Sequence, residues 1–186
     1  MRYFSNRELS QTLGIKLAKW KRWCREFLAP DPLGGMQSGY ARQLTIDDAF
    51  TVYLGGYLVG ELKYGIQTTR QILADLRDWL GACGFYRTPM YRSAGVEDDQ
   101  GVLAYQIYIT TGEPMPHAYT IRGILEERVE PAPAGCFRTV RYWERILGGN
   151  AATGAVQATG DSVRLLNISS VQACFLCYFD SAVPAK

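Results

Sequence analysis

The chain has 186 residues, 47% of them hydrophobic and 20% charged, with a formal net charge of +2. That length allows one or two domains and a core that needs no disulfide or metal staple. No stretch approaches the ~20 apolar residues that cross a bilayer, and the opening MRYFSNRELS lacks the apolar run of a signal peptide. Five cysteines, odd in number and irregularly spaced, fit no disulfide framework, so a reducing, cytoplasmic setting is expected. Residues 1–80 hold eleven Lys/Arg against eight Asp/Glu, and residues 81–186 hold nine against ten. The first half is therefore mildly basic, which suits phosphate contact or an ordinary solvated face.

Ser5 followed by Glu8 is the capping-box pattern that opens a helix. Leu9 and Leu13 lie on one face of it, and Gly14 ends it. A second helix runs from Lys16 to Phe27. At about 100° per residue, Leu17, Trp20, Trp23, Cys24, Phe27 and Leu28 share one arc. Ala18, Lys19, Lys21, Arg22, Arg25 and Glu26 fill the other, so the tryptophans should bury and the cations face out. Pro30 and Pro32 stop this helix, and residues 32–39 have the composition of a tight hairpin. Thr45 caps a third helix, with Asp47 and Asp48 in its first turn, expected to run to about Tyr64. It contains Gly55, Gly56 and Gly60, each costing up to ~1 kcal/mol relative to Ala unless close packing offsets it. A fourth helix is expected from Thr68 or Thr69, with Ile72, Leu73, Leu76, Trp79, Leu80 and Cys83 as its apolar stripe.

After Phe85 the texture changes. Val102–Thr110 alternates as a strand does, Thr111–Pro114 reads as a turn, and Tyr119–Leu125 reads as a second, antiparallel strand. Pro131 and Pro133 should break the chain. Phe137–Leu147 fits a strand or a helix, residues 148–162 read as a loop, Val163–Ile168 as a strand and Ser170–Phe179 as a short apolar helix. A domain boundary near residues 85–95 divides the chain into 1–84 and 85–186.

The order of motifs resembles the MerR family of bacterial transcription regulators over about residues 3–80. Leu13-Gly14-Ile15 sits at the turn, and Lys21-Arg22-Trp23 where the family often has an Arg-Tyr-Tyr type run. Gly39-Tyr40-Ala41-Arg42 stands where the wing has Gly-Tyr-Arg-Arg. Thr45-Ile46-Asp47-Asp48 matches the start of the third helix, and Gly65-Ile66 followed by Ile72-Leu73 the turn into the fourth. Ala41 replaces the first wing arginine, and Cys24 stands where an acidic residue is common. Typical members dimerise through a long antiparallel helix, whereas here a β-containing region follows. The fold class expected is thus α+β: an N-terminal winged helix-turn-helix with two further helices, then a smaller antiparallel β-containing region with a terminal helix.

The resemblance implies a sequence-specific double-stranded-DNA-binding protein, a nucleoid-associated transcription regulator. Its second helix would enter the major groove. Lys16 and Lys19 would lie nearest the base edges, Lys21, Arg22 and Arg25 would neutralise phosphates, and Tyr40 and Arg42 would make wing contacts. Helix-turn-helix proteins usually read two half-sites, so a homodimer is expected. The apolar run containing Val171, Phe175, Leu176 and Phe179 is its candidate interface, and the later half the candidate place for an unknown small-molecule effector.

Enzyme signals are poor, and no catalytic group, cofactor or metal is implied. His117 is the only histidine and is expected in a surface loop. Cys174-Phe175-Leu176-Cys177 has C-x-x-C spacing inside an apolar run, which favours buried structural thiols. The adjacent carboxylates Glu126-Glu127 and Asp98-Asp99 point apart in strands. Two rival readings stand beside the regulator. One is a phage or plasmid accessory factor of the excisionase kind, which shares the DNA contact. The other is a protein-interaction module using Tyr86, Tyr91, Tyr105, Tyr108, Tyr119 and Tyr142 as an interface.

Overall fold

The computed structural model describes residues 2–31, 42–86, 101–111, 117–132, 135–147 and 162–180. The fold is α+β, and the chain divides into two units, Met1–Ala94 with Gln172–Lys186, and Gly95–Val171. The terminal segment therefore groups with the N-terminal helices, not with the sheet that precedes it.

The first unit contains β1 (Phe4–Ser5), α1 (Asn6–Thr12), α2 (Leu17–Phe27), β2 (Gln43–Leu44), α3 (Ile46–Gly60) and α4 (Ile66–Ala82). Ser5 and Glu8 close a capping box: the Glu8 N–H donates to Ser5 Oγ at 3.2 Å and the Ser5 N–H to Glu8 Oε2 at 2.7 Å. Gly14 turns the chain at φ +64°, a conformation that glycine adopts without the Cβ clash of other residues. The Ile15 N–H returns to the Ser10 carbonyl at 2.9 Å, which sets the corner between α1 and α2. β1 and β2 pair antiparallel, Phe4 opposite Leu44. The hairpin expected at 32–39, and Tyr40 with it, lie outside the described residues.

Thr45 and Asp48 form a second capping box at the head of α3. That helix stops at Gly60, short of Tyr64, because Lys63 takes φ +56° and the Tyr64 N–H bonds back to the Leu58 carbonyl at 3.0 Å. α4 begins at Ile66, ahead of the threonines expected to start it. Gly65 is its N-cap residue, and Thr69 is buried inside the helix. The core of the unit gathers Leu9, Trp20, Leu44, Leu54, Leu58, Ile72, Leu76 and Leu80, all fully buried. Leu17, placed by angle on the buried arc of α2, is 38% exposed in the first turn of that helix.

Gly55 and Gly56 lie where α2 meets α3. A Cβ on Gly56 would collide with the Trp23 ring, and one on Gly55 would stand 2.5 Å from Phe27 Cδ2. Both aromatic side chains therefore rest on bare helix backbone, which offsets the poor helix propensity of two adjacent glycines.

The second unit is a four-stranded antiparallel sheet of β3 (Ala104–Thr111), β4 (Ala118–Ala132), β5 (Gly135–Leu147) and β6 (Ser162–Leu166), ordered β5-β4-β3-β6. The ambiguous segment Phe137–Leu147 is thus strand. Ile107, Ile109, Tyr119, Ile121 and Leu166 form its buried face, in register across three strands. β4 runs on through Pro131, where a break was expected. Past Ile124 it pairs only with β5, so one edge is open and the missing proline N–H breaks no ladder bond. Cross-strand ion pairs join β4 to β5, Arg122–Glu144 at 2.7 Å within the four-stranded part and Arg138–Glu127 at 2.8 Å in the ribbon.

α5 (Ile168–Asp180) begins in the second unit, where Ser169 Oγ accepts the Tyr105 N–H at 2.8 Å. From Gln172 onward it belongs to the first, where Phe175 packs 5.3 Å from Phe50 and 5.4 Å from Tyr53, ring centre to ring centre. No helix among the described residues is long and apolar enough to cross a membrane.

Gly56→Ala should destabilise the protein by about 1–3 kcal/mol, because Trp23 must leave its rotamer or α2 must move. Gly60→Ala, with nothing within 4 Å of the added Cβ, should be neutral or stabilising by up to ~1 kcal/mol. Urea unfolding of the two variants checks the contrast; equal effects would show that the glycines do not set the helix contact.

Candidate nucleic-acid interface

α2 owes its orientation to its buried side. Trp20 is fully enclosed, and its Nε1 donates to Asn6 Oδ1 at 3.1 Å. The same oxygen accepts from Cys24 Sγ at 3.4 Å, so one asparagine on α1 holds two successive turns of α2. Trp23 rests on Gly56 and Cys24 is buried beside it. Burial pushes the Cys24 thiol up to about 12, while the nearby Arg42 charge pulls weakly the other way.

With that side fixed, Lys19, Lys21, Arg22 and Arg25 are all exposed on the outer arc. The Lys19 ammonium lies 4.6 Å over the Trp23 ring, a cation–π contact that holds the charged end of its side chain near the indole. Glu26, the acid of the arc, is drawn away to α4. Its Oε2 accepts from Arg70 Nη2 at 2.7 Å and its carbonyl from Arg70 Nε at 2.7 Å. Among the described residues, Lys16, Lys19, Lys21, Arg22 and Arg25 have no carboxylate within ion-pair distance.

The N-terminus of α2 breaks the rule that α1 and α3 keep. Lys16 stands at the N-cap with no side-chain hydrogen bond to the first turn, and no acidic residue follows. The uncapped first turn and the positive end of the helix dipole thus stand beside the exposed Lys16 and Lys19, a combination suited to an anion.

Of the other residues singled out by sequence, Arg42 is half-buried directly before β2, and Tyr40 lies outside the described residues. The residues of the candidate dimer surface are placed as follows. Val171 and Phe175 are buried within the chain, and Phe179 packs 5.5 Å from Phe4 and 5.0 Å from Phe175. Leu176 is half-buried beside them. This side of the helix is already occupied by the protein's own aromatic core.

His117 is buried against Tyr119, not set in a surface loop, and among the described residues neither ring nitrogen has a hydrogen-bond partner. Cys174 and Cys177 are exposed instead of buried. The buried side of α5 is Ile168, Val171 and Phe175, and at about 100° per residue the two cysteines fall away from it. Among the described residues no group of three or more His, Cys, Asp or Glu is placed to hold a metal ion. Of the tyrosines proposed as an interface, Tyr119 is buried, Tyr86, Tyr105 and Tyr108 are half-buried, Tyr142 is exposed and Tyr91 lies outside the described residues.

Sequence reasoning missed Asn6 and Arg70. Both act across the chain, over 14 and 44 positions, and no local pattern marks such partners. No model of a known protein family matches this chain, and comparison with curated proteins likewise finds no match.

Asn6→Ala leaves the enclosed Trp20 N–H without an acceptor and should cost about 1–3 kcal/mol in thermal or urea unfolding. Loss of stability with Asn6→Asp equal to that with Asn6→Ala would count against the hydrogen bond as the cause. In thiol labelling at pH 8, Cys136, Cys174 and Cys177 should react in the native protein and Cys24 only on unfolding, since its raised pKa keeps the buried thiol protonated. Rapid native labelling of Cys24 would contradict its burial.

Proposed function

We propose that the protein binds double-stranded DNA and acts as a transcription regulator, through an N-terminal unit of the winged helix-turn-helix kind. The observation that carries this reading is α2. Its outer face bears four exposed cations with no acidic partner among the described residues, and its N-terminus adds Lys16 and uncapped N–H groups. Like charges crowded on one helix face destabilise it, and a polyanion removes that cost. Trp20 and Trp23 serve as the buried base that aims the face, so they do not stack on DNA bases. The β1–β2 pair beside α3 is the position from which a wing would project, and Arg42 stands at its base.

In the docked state Lys16 and Lys19 approach base edges in the major groove, while Lys21, Arg22 and Arg25 sit on phosphates and fix the register. Arg42, with Tyr40, contacts the flanking backbone. A homodimer would place two α2 helices about 34 Å apart, one turn of DNA. The excisionase-like alternative uses the same contacts and differs only in what the bound DNA is for.

Fluorescence anisotropy on genomic duplex fragments tests the reading. Binding should be detectable at about 50 mM salt and weaken steeply as salt rises. Arg22→Ala with Arg42→Ala should weaken it on every sequence and flatten the salt slope by about two units. Absence of binding to any genomic duplex at low salt would sink the proposal.

A second reading, a protein-interaction module, draws on the sheet. Tyr142, Ile146, Val163 and Leu165 are exposed at 44%, 63%, 53% and 44% and share the face opposite the buried one. Recovery of one partner protein after nuclease treatment, without duplex binding, would favour it.

A further inference from the structure

A pocket of about 450 Å³ opens within the N-terminal unit, between the end of α2, the first turns of α3 and one face of α4. Small-molecule sites have volumes of ~300–1,000 Å³. α4 supplies Arg70, Leu73, Ala74 and Arg77, the i, i+3, i+4, i+7 stripe of a single helix face. Two guanidinium groups therefore flank an apolar floor, which Phe27 extends from α2. Arg70 is held in place by two bonds to Glu26, at 2.7 Å each, and its remaining N–H groups are not used by that pair.

The facing wall is polar and carries charges of both signs, Arg42 with Asp47 and Asp48. Thr51 Oγ1 donates to the Asp47 carbonyl at 2.9 Å and lies 3.3 Å from the Tyr86 hydroxyl. The Asp48 carboxylate is turned to Thr45, accepting from its N–H at 2.9 Å and its hydroxyl at 2.8 Å. Arginine forks match a carboxylate in both geometry and charge. Arg42, Arg70 and Arg77 against Asp47 and Asp48 leave a small positive balance, which suits a monoanion and works against ligands of high negative charge, such as polyphosphates.

We propose that this pocket binds a small organic monocarboxylate with an apolar body and a hydrogen-bonding substituent. The carboxylate sits on the arginine side of α4, the body lies over Leu73, Ala74 and Phe27, and the substituent faces Asp47, Thr51 and Tyr86. The site stands whether or not the chain binds DNA.

Isothermal titration calorimetry of the full chain tests it with three probes: benzoate, 4-hydroxybenzoate and inorganic pyrophosphate. For ligands of this size even low ligand efficiency gives binding within about 10 mM. 4-Hydroxybenzoate should bind, and benzoate more weakly. Ala74→Trp, which fills the pocket from an exposed helix position, should abolish binding while the circular dichroism spectrum stays unchanged. Arg77→Gln should weaken it about tenfold. No heat from either carboxylate, equal affinity in Ala74→Trp, or tighter binding of pyrophosphate than of the carboxylates would overturn the proposal. Should Arg77→Gln fail to fold, the Ala74→Trp comparison decides alone.

Discussion

The contact between the Trp23 ring and the bare backbone of Gly56 fixes the geometry of the N-terminal unit. Helices packed through ordinary side chains lie about 8–10 Å apart. Here an indole and the Phe27 ring take the space that two Cβ atoms on α3 would fill. That removes freedom of rotation from α2: turned by one residue, Trp23 would strike the flank of α3. Asn6 repeats the constraint from the other side, since Trp20 Nε1 finds its acceptor in only one rotation of the helix. The direction in which the cations point is therefore a consequence of the core, with no contribution from the cations themselves.

Local electrostatic rules hold at α1 and α3 and fail at α2. Both well-capped helices have an acidic residue in the first turn bonded back to the cap. α2 begins with lysine, has no acid in its first turn, and hands Glu26 to Arg70. The exposed Arg70–Glu26 pair is worth little as a stabilising contact, at most ~1 kcal/mol. Its larger effect is on charge distribution, because it clips α2 to α4 and removes the negative charge from the outer arc. α4 likewise starts without a side-chain cap or an acid in its first turn, so what sets α2 apart is the row of exposed cations on its outer arc.

Much of this was legible in the residues. Ser5 with Glu8, Gly14, and Thr45 with Asp48 announce their structures because caps and positive-φ turns are local chemistry. The 3.6-residue period placed Trp20, Trp23 and Cys24 inside correctly, yet misplaced Leu17, because an arc drawn by angle carries no information about position along the helix axis. Pro131 misled because proline breaks a strand only where its N–H is needed, and an edge without a third strand does not need it. His117 and the cysteines of α5 failed for a shared reason. Neighbouring residue types set an average environment, whereas burial is decided by which partners the fold brings. The apolar run around Cys177 buries one face of its helix only.

The two halves of the β4–β5 pairing differ in what supports them. Up to Ile124 the strands belong to a four-stranded sheet with a buried face. Beyond it, Glu126–Ala132 pairs with Gly135–Arg141 alone. A two-stranded ribbon is marginal by itself, and this one is laced by exposed ion pairs of Arg128, Arg138 and Arg141 with Glu126 and Glu127. It also leaves Val129 60% and Phe137 69% exposed, so little apolar burial contributes there. The alternation of charge instead serves the free edge: arginines along β5 make pairing with a foreign strand costly. β5 is the outer strand along its whole length, so its edge stays open beside the four-stranded part as well.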